Sequence, residues 1–219
     1  MTFTALENDF VIQEPLSDHL QRLVDYYFFI DVPVTELTIE KESIIPFPRI
    51  TFGYFFDHPF RVTNHAAGEA VKAEMVISRV STDQITVEPL TDRVKIIGAH
   101  VRPYTLAYLT NENLSELPWL INTADLFRDR AASFKRKIHR CPTPATMFGE
   151  VERMFLNTLL IKDLRVITEA IDTIESHRGD ITVARLAEQT GVSNRTLRNH
   201  FYRSVGCSPK EYLHLVKLK

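Results

Sequence analysis

The chain has 219 residues, 44% of them hydrophobic, so it can bury a substantial core and build more than one domain. This is the composition of a soluble globular protein. A formal net charge of -2 argues against a chain that binds a polyanion over its whole surface.

The cysteines and the N-terminus predict a cytoplasmic protein. Cys141 and Cys207 are the only cysteines and lie far apart, so no disulfide framework is indicated and a reducing compartment fits. The first residues, MTFTALENDF, lack the basic start and apolar core of a signal peptide, and no apolar run approaches the roughly 18 residues of a membrane span. We therefore expect no membrane partner.

The first half of the chain indicates one helix followed by strands. Leu16, Leu20, Leu23 and Val24 recur at helical spacing in PLSDHLQRLVDYY, which predicts an amphipathic helix. Five segments that alternate or run apolar then predict a curved antiparallel sheet: ELTIEKESII, PRITFGYFF, AVKAEMVISRV, QITVEPL and DRVKIIGAHV. We predict a β-rich domain over residues 1–110.

From Tyr104 onward the apolar period becomes helical. The segment TADLFRDRAASFKRKIHR predicts a helix that ends before Pro142 and Pro144. Two longer amphipathic helices follow, ATMFGEVERMFLNTLL and DLRVITEAIDTIESH, and Gly179 ends the second. Residues 111–178 are thus predicted to form a helical linker region, whose wide apolar stripes fit either a core or a dimer seam.

Charge is unevenly distributed along the chain. Residues 180–219 hold seven Lys/Arg against three Asp/Glu, whereas the first 179 residues hold 19 against 25. A basic tail on an acidic body is typical of a nucleic-acid module carried by another domain. A basic solvated face on an ordinary domain would give the same count.

The basic tail is predicted to form three short helices. Thr182 is a good N-cap for the first helix, and Gly191 supplies the positive φ of a sharp turn after it. Ser193 caps the second helix, and Ser208 with Glu211 forms the capping box of the third. We predict that these helices form a third, all-α domain.

The second of these helices, unrolled at 100° per residue, has two opposite faces. Leu197, Phe201 and Val205 form an apolar stripe. The opposite face groups hydrogen-bonding side chains: Arg195, Arg198, Asn199, Tyr202 and Arg203. Arginine can bond guanine O6 and N7, and asparagine adenine N6 and N7, so this face can read major-groove edges. Residues 179–219 therefore predict a helix-turn-helix, with a plain three-helix packing unit as the alternative.

The segment LAEQTGVSNRTLRNHFYRSVGCSPKEYL resembles the first helix-turn-helix of the AraC/XylS family of bacterial transcriptional regulators. The match is dense over about forty residues and rests on Leu186, Ala187, Gly191, Ser193, Leu197, Phe201, Gly206, Ser208, Pro209 and Tyr212. The resemblance implies a sequence-specific DNA-binding transcriptional regulator rather than an enzyme, with double-stranded DNA as its partner.

The resemblance also implies two sets of DNA contacts. The positions that read bases fall on Arg195, Arg198 and Asn199, and those that meet phosphates fall on Ser193, Tyr202 and Arg203. Family members carry two such units joined by a long helix, and this sequence stops at LVKLK, inside that helix. We expect the second unit to be missing at the C-terminus, and binding by one unit to be weak with a shallow salt dependence.

The preceding region resembles, more loosely, the N-terminal domains of some family members, through YYFF, IIPF and IIGAHVRPY. Such domains sense a small molecule or mediate dimerisation. The resemblance implies an α+β chain with a cupin-like sensory or dimerisation domain, and a homodimer. Candidate contacts for an anionic or polar effector are Arg49, Tyr54, His100, Arg102 and Tyr104, with ordinary salt bridges as the alternative.

Metal chemistry has little support in the sequence. His58, His65 and His100 form no His-x-His pattern and have no neighbouring Glu in a metal-motif arrangement, so we expect no metal and no cofactor. Two other function classes stay open. One is a cupin-type metal-dependent enzyme with a helical appendage, and the other is a protein-interaction adaptor whose basic helix meets an acidic protein.

Overall fold

Two antiparallel sheets form the first part of the chain in the computed structural model, which describes residues 10–37, 42–44 and 46–218. Their strands are β1 (Phe10–Gln13), β2 (Val24–Pro33), β3 (Glu42–Ile44), β4 (Ile50–Tyr54), β5 (Phe60–Asn64), β6 (Glu69–Ala73), β7 (Met75–Ser78), β8 (Ile85–Pro89), β9 (Arg93–Val101) and β10 (Leu120–Asn122). The larger sheet has the order β1-β2-β9-β4-β7-β10, and the smaller has the order β3-β8-β5-β6.

The predicted helix around Leu20 is wrong in its extent. Only one turn, α1 (Asp18–Gln21), is helical, and the ten-residue strand β2 begins at Val24. The run VDYYFFIDVP is rich in aromatic and β-branched residues, which favour a pleated surface. Pairing with β9 along nearly the whole length of β2 then outweighs the helical spacing of the leucines.

The predicted segment AVKAEMVISRV forms two strands instead of one. Glu74 separates β6 from β7, and the two strands belong to different sheets. The predicted strand ELTIEKESII lies partly outside the described residues, and its part Glu42–Ile44 forms β3. The larger sheet continues past residue 110, because β10 pairs with β7.

The later part of the chain is helical. Its helices are α2 (Thr123–Phe127), α3 (Asp129–Ile138), α4 (Pro144–Leu156), α5 (Arg165–Ser176), α6 (Val183–Gln189), α7 (Asn194–Ser204) and α8 (Pro209–Lys217). The helix predicted before Pro142 is broken in two at Arg128, whose φ of 49° is not helical. The segment PYTLAYL forms a single 3-10 turn, Thr105–Tyr108.

Two hydrophobic clusters hold these elements together. The smaller lies between the two sheets and includes Phe28, Ile30 and Val62. The larger cluster extends from the larger sheet through α3, α4 and α5 to α6, α7 and α8. The apolar stripes of α4 and α5 belong to this larger cluster, so they pack within the chain rather than forming an exposed seam. The molecule is thus a mixed α/β protein with a β-rich N-terminal part and a helical C-terminal part.

No helix in the described part of the chain has both the length and the apolar character needed to cross a membrane.

Candidate nucleic-acid interface

The last three helices begin where the sequence predicts. The Thr182 side chain accepts a hydrogen bond from the first turn of α6, and the Ser193 side chain accepts one from Thr196 N at 3.1 Å. At α8, Ser208 Oγ accepts from Glu211 N at 3.2 Å, while Glu211 Oε2 accepts from Ser208 N at 2.7 Å. The predicted N-caps and the capping box are therefore confirmed.

A tight turn joins α6 to α7. Gly191 has a φ of 68°, and the amide of Val192 reaches back to Ala187 O at 3.0 Å. A residue without a Cβ adopts this left-handed conformation at little cost. The predicted role of Gly191 as the turn residue is confirmed.

Replacing Gly191 by Val is expected to lower the free energy of unfolding by about 1 to 2 kcal/mol, because a β-branched residue is strongly disfavoured at positive φ. A Cβ added there would meet no atom within 4 Å, so we expect the loss to come from the backbone. The matched control is Gly149→Ala in the interior of α4, which also meets no atom within 4 Å and should gain about 0.5 to 1 kcal/mol. Urea unfolding measures both, and a Gly191→Val variant as stable as the parent would contradict this role.

Helix α7 is anchored by one face and open on the other. Leu197, Phe201 and Val205 are fully buried in the larger cluster. The side chains on the other face are exposed: Arg195, Arg198, Asn199, Tyr202 and Arg203. None of these five side chains makes a hydrogen bond or ion pair with another described residue, so their polar groups are exposed to solvent and available for a ligand.

Helix α7 is fixed to the β-rich part by helix packing and by one arginine side chain. Helix α7 packs against the 3-10 turns Thr105–Tyr108 and Leu114–Glu116. The Arg79 guanidinium links the two parts, because its Nη1 donates to Leu114 O at 2.9 Å and to Gly206 O at 3.5 Å. The exposed face of α7 is therefore held in a defined position.

A partly buried ionic cluster, which we call the Glu175 cluster, makes a second connection between the helices and the β-rich part. The Glu175 carboxylate on α5 accepts hydrogen bonds from Arg49 Nη1 at 2.6 Å, Arg102 Nη1 at 2.9 Å and the Tyr212 hydroxyl at 2.7 Å. Since Arg49 precedes β4, Arg102 follows β9 and Tyr212 lies on α8, one carboxylate joins the sheet to two helices.

Two further carboxylates complete the Glu175 cluster. Asp25 pairs with Arg49 at 2.5 Å, and Asp172 pairs with Arg102 at 2.6 Å. Burial alone would raise the pKa of Glu175, but the hydrogen bond and the charge of Arg49 outweigh burial and hold that pKa below its usual range. Glu175 is therefore ionised at neutral pH.

The structure brings together three of the five predicted effector residues. Arg49 and Arg102 both bind Glu175, and the Tyr104 hydroxyl donates to Arg22 O at 2.9 Å nearby. Tyr54 lies elsewhere, at the far end of β4, where its hydroxyl is 2.8 Å from His139 Nε2.

His100, the fifth predicted effector residue, sits in an aromatic environment. The ring centroids of Tyr26, Phe28 and Phe47 lie 4.9, 5.5 and 5.5 Å from the His100 ring. Only 9% of His100 is exposed, and this burial lowers its pKa to about 4. The imidazole is therefore neutral at physiological pH.

A cavity of about 520 Å³ opens beside the Glu175 cluster. Its lining includes Arg22, Arg102, Tyr104, Tyr108, Lys162 and Asp172. The Lys162 ammonium donates to Ala107 O at 2.7 Å and to Thr110 O, and it has no carboxylate partner among residues 10–37, 42–44 and 46–218. Burial lowers the pKa of Lys162, and the nearby charge of Arg203 on α7 lowers it further.

The histidines weighed as metal ligands are separated. His58 Nδ1 lies 2.9 Å from Thr91 Oγ1, and His65 Nε2 lies 2.5 Å from Thr86 Oγ1. Over the described ranges, no group of three or more His, Cys, Asp or Glu side chains is arranged to hold a metal ion.

No protein-family model and no curated protein matches this chain. Among solved structures, a lysine-to-alanine variant of apo ToxT from Vibrio cholerae strain SCE256 has 10% identity and a TM-score of 0.48, over 87% of this chain and 79% of that one. ToxT from Vibrio cholerae O395 has 7% identity and a TM-score of 0.46, over 96% and 80%. The AraC-like transcriptional activator CuxR has 12% identity and a TM-score of 0.33, over 95% and 85%. These values describe a distant likeness of fold.

Proposed function

We propose that this chain is a cytoplasmic, sequence-specific DNA-binding regulator of transcription and not an enzyme. The exposed face of α7 carries the proposal. It presents three arginines, an asparagine and a tyrosine on one side of a helix whose other side is fixed in the core. The resemblance of α6, α7 and α8 to the first helix-turn-helix of AraC/XylS regulators supports the same function.

The roles within this face follow from the chemistry of each group. Arg195, Arg198 and Asn199 lie in the N-terminal half of α7, the part of a recognition helix that meets base edges. Their guanidinium and amide groups can bond guanine and adenine in a bidentate manner.

The phosphate contacts are proposed for the edge of the same face. Ser193 precedes the helix, while Tyr202 and Arg203 lie near its C-terminal end. Hydroxyl and guanidinium groups are common phosphate donors, and contacts of this type set the register of a helix in the groove without reading sequence.

Selection of bound duplexes from a random-sequence pool tests the proposal. The parent chain should enrich one motif, and the Arg195→Gln/Arg198→Gln variant should enrich none. The matched control is Arg185→Gln/Lys210→Gln, which removes two exposed cations outside the α7 face and should enrich the parental motif. If the parent enriches no motif, or the α7 variant keeps it, the proposal is wrong.

We also propose that the β-rich part, with a cupin-like architecture, senses a small anionic effector in the cavity beside Arg102 and Tyr104. Asp25, Asp163 and Asp172 also line this cavity, but neither Arg22 nor Lys162 forms an ion pair with a carboxylate in the described part of the chain. The Tyr108 ring offers an apolar wall. Small organic acids should raise the melting temperature of the parent chain but not of an Arg22→Gln/Lys162→Gln variant. A panel that shifts neither protein would contradict this site.

A homodimer is proposed as the active form. Strand β1 is an edge of the larger sheet, and Ile12 on it is 54% exposed. Leu16 is 74% exposed, and its amide donates to Glu152 Oε1 at 2.8 Å, which sets it beside α4 one turn from the exposed Leu156. We propose that these exposed apolar side chains contribute to one association surface. Sedimentation equilibrium measures the oligomeric state, and a strict monomer at a protein concentration of tens of micromolar would contradict the proposal.

A further inference from the structure

A second group of cations lies far from α7 in sequence. Residues 128–140 hold six Lys/Arg and one Asp, whereas the rest of residues 1–179 hold 13 Lys/Arg against 24 Asp/Glu. An acidic region thus carries one strongly basic helix, α3, together with the turn that closes it.

Helix α3 is amphipathic, with its cations on the outer side. Ala131, Phe134 and Ile138 are buried against the larger sheet and α4. Taking Phe134 as zero and about 100° per residue, Ala131 and Ile138 fall within about 60° of it. Arg136 falls at about 200° and Lys137 at about 300°, while Arg130 at about 320° flanks the buried face. All three are exposed, as is Arg140 in the turn after the helix. We call these four residues the α3 stripe.

The α3 stripe is exposed, and its charges are uncompensated. None of its four side chains forms an ion pair with a residue that the structure describes. Cations on the sheets, in contrast, form ion pairs: Arg61 with Glu88, Lys72 with Glu74 and Arg93 with Asp31. A surface that keeps four cations free of local carboxylates is suited to a polyanionic partner.

We infer that the α3 stripe is a second nucleic-acid surface, which binds the phosphate backbone of duplex DNA without reading its sequence. Lys and Arg side chains neutralise phosphates, and such contacts supply most of the affinity for DNA of any sequence. A lipid surface fits less well, because interfacial helices insert an apolar face and the apolar face of α3 is buried in the core. The inference does not require α7 to read sequence.

The two surfaces lie toward opposite ends of β4. Strand β7 runs antiparallel to β4, so Arg79, which follows β7, lies near the start of β4, and it donates to Gly206 O after α7 at 3.5 Å. After α3, His139 contacts Tyr54, the last residue of β4, and Lys135 Nζ lies 6.0 Å from the Tyr54 ring centroid. One chain can therefore meet two separate stretches of phosphate backbone, one at α7 and one at the α3 stripe.

The salt dependence of DNA binding tests the inference. Affinity of the full chain for a duplex of about 30 base pairs and arbitrary sequence is measured from about 50 to 200 mM salt. The Arg136→Gln/Lys137→Gln variant should reduce the slope of log affinity against log salt by about 1.8, since each lost phosphate contact removes about 0.9. A second variant, Arg130→Gln/Arg140→Gln, should reduce the slope by a similar amount, so the test does not depend on the folding of a single variant.

The matched control is Arg61→Gln/Lys72→Gln, which changes net charge equally but removes cations already paired on the smaller sheet. It should leave the slope unchanged. If both α3 variants bind DNA with the slope of this control, the inference is wrong, whatever the α7 variants do in the selection experiment. If the α3 variants lose binding to phosphatidylglycerol vesicles but bind DNA as the parent does, the inference is also wrong, and the α3 stripe binds a membrane instead.

Discussion

Replacing Glu175 by Gln is expected to lower the free energy of unfolding by about 3 kcal/mol. The change removes the charge that Arg49 and Arg102 share and weakens the bond from the Tyr212 hydroxyl. Removing one partner of a buried ion pair costs about 3 to 5 kcal/mol, because the charge left behind loses its compensation. In the Glu175→Gln variant, Arg49 and Arg102 would keep Asp25 and Asp172 as partners. The Glu175 side chain is 21% exposed, which places the expected loss at the lower end.

Urea unfolding at neutral pH measures this loss. Glu169→Gln is the matched control, because Glu169 lies on the same helix but is exposed, and its variant should stay within about 0.5 kcal/mol of the parent. Equal stabilities for the two variants would show that the Glu175 cluster does not hold α5 and α8 against the larger sheet.

Acidification from pH 7 to pH 4 is expected to remove about 3 kcal/mol of stability through His100 alone. Burial lowers the pKa of His100 from 6.5 to about 4, and each unit of pKa difference corresponds to about 1.4 kcal/mol. Because the unfolded state binds the proton more readily, this stability is complete above pH 6.5 and is lost as the pH falls through the folded-state pKa. The depressed pKa of Glu175 acts in the same direction at lower pH.

A His100→Gln variant isolates this contribution. Its free energy of unfolding should be flatter between about pH 6.5 and 4 than that of the parent, whereas a variant of the exposed His177, His177→Gln, should follow the parental curve. Parallel curves for His100→Gln and the parent would contradict a buried, neutral imidazole.

Helices α6, α7 and α8 could be predicted from the sequence because the residues that begin and end them act locally. Thr182, Ser193 and Ser208 cap helices through hydrogen bonds to residues three positions away, and Gly191 meets a backbone requirement at its own position. The α7 face is equally local, since helical periodicity alone separates Phe201 from Arg198.

The parts that sequence reasoning missed depend on long-range pairing. Strand β2 contains the end of a helical leucine pattern, and its ladders with β9 and β1 make it a strand. The break at Glu74 arises because β6 and β7 join different sheets. Glu175 gave no signal as the centre of a cluster, since its partners Arg49 and Tyr212 are 126 and 37 residues away. A polar residue on a helix is usually solvated, and only the tertiary structure shows otherwise.

The most direct test of DNA reading by α7 is the discrimination ratio of Arg198→Ala, the affinity for the selected duplex divided by that for a random one. We expect this ratio to fall about 10- to 100-fold relative to the parent, because one bidentate base contact contributes about 1 to 3 kcal/mol of discrimination. Arg185→Ala, which removes an exposed arginine on α6, should keep the parental ratio. If Arg198→Ala weakens binding to both duplexes equally, Arg198 contacts only phosphate. If Arg195→Ala and Asn199→Ala also leave the discrimination ratio unchanged, α7 is not the helix that reads the DNA sequence.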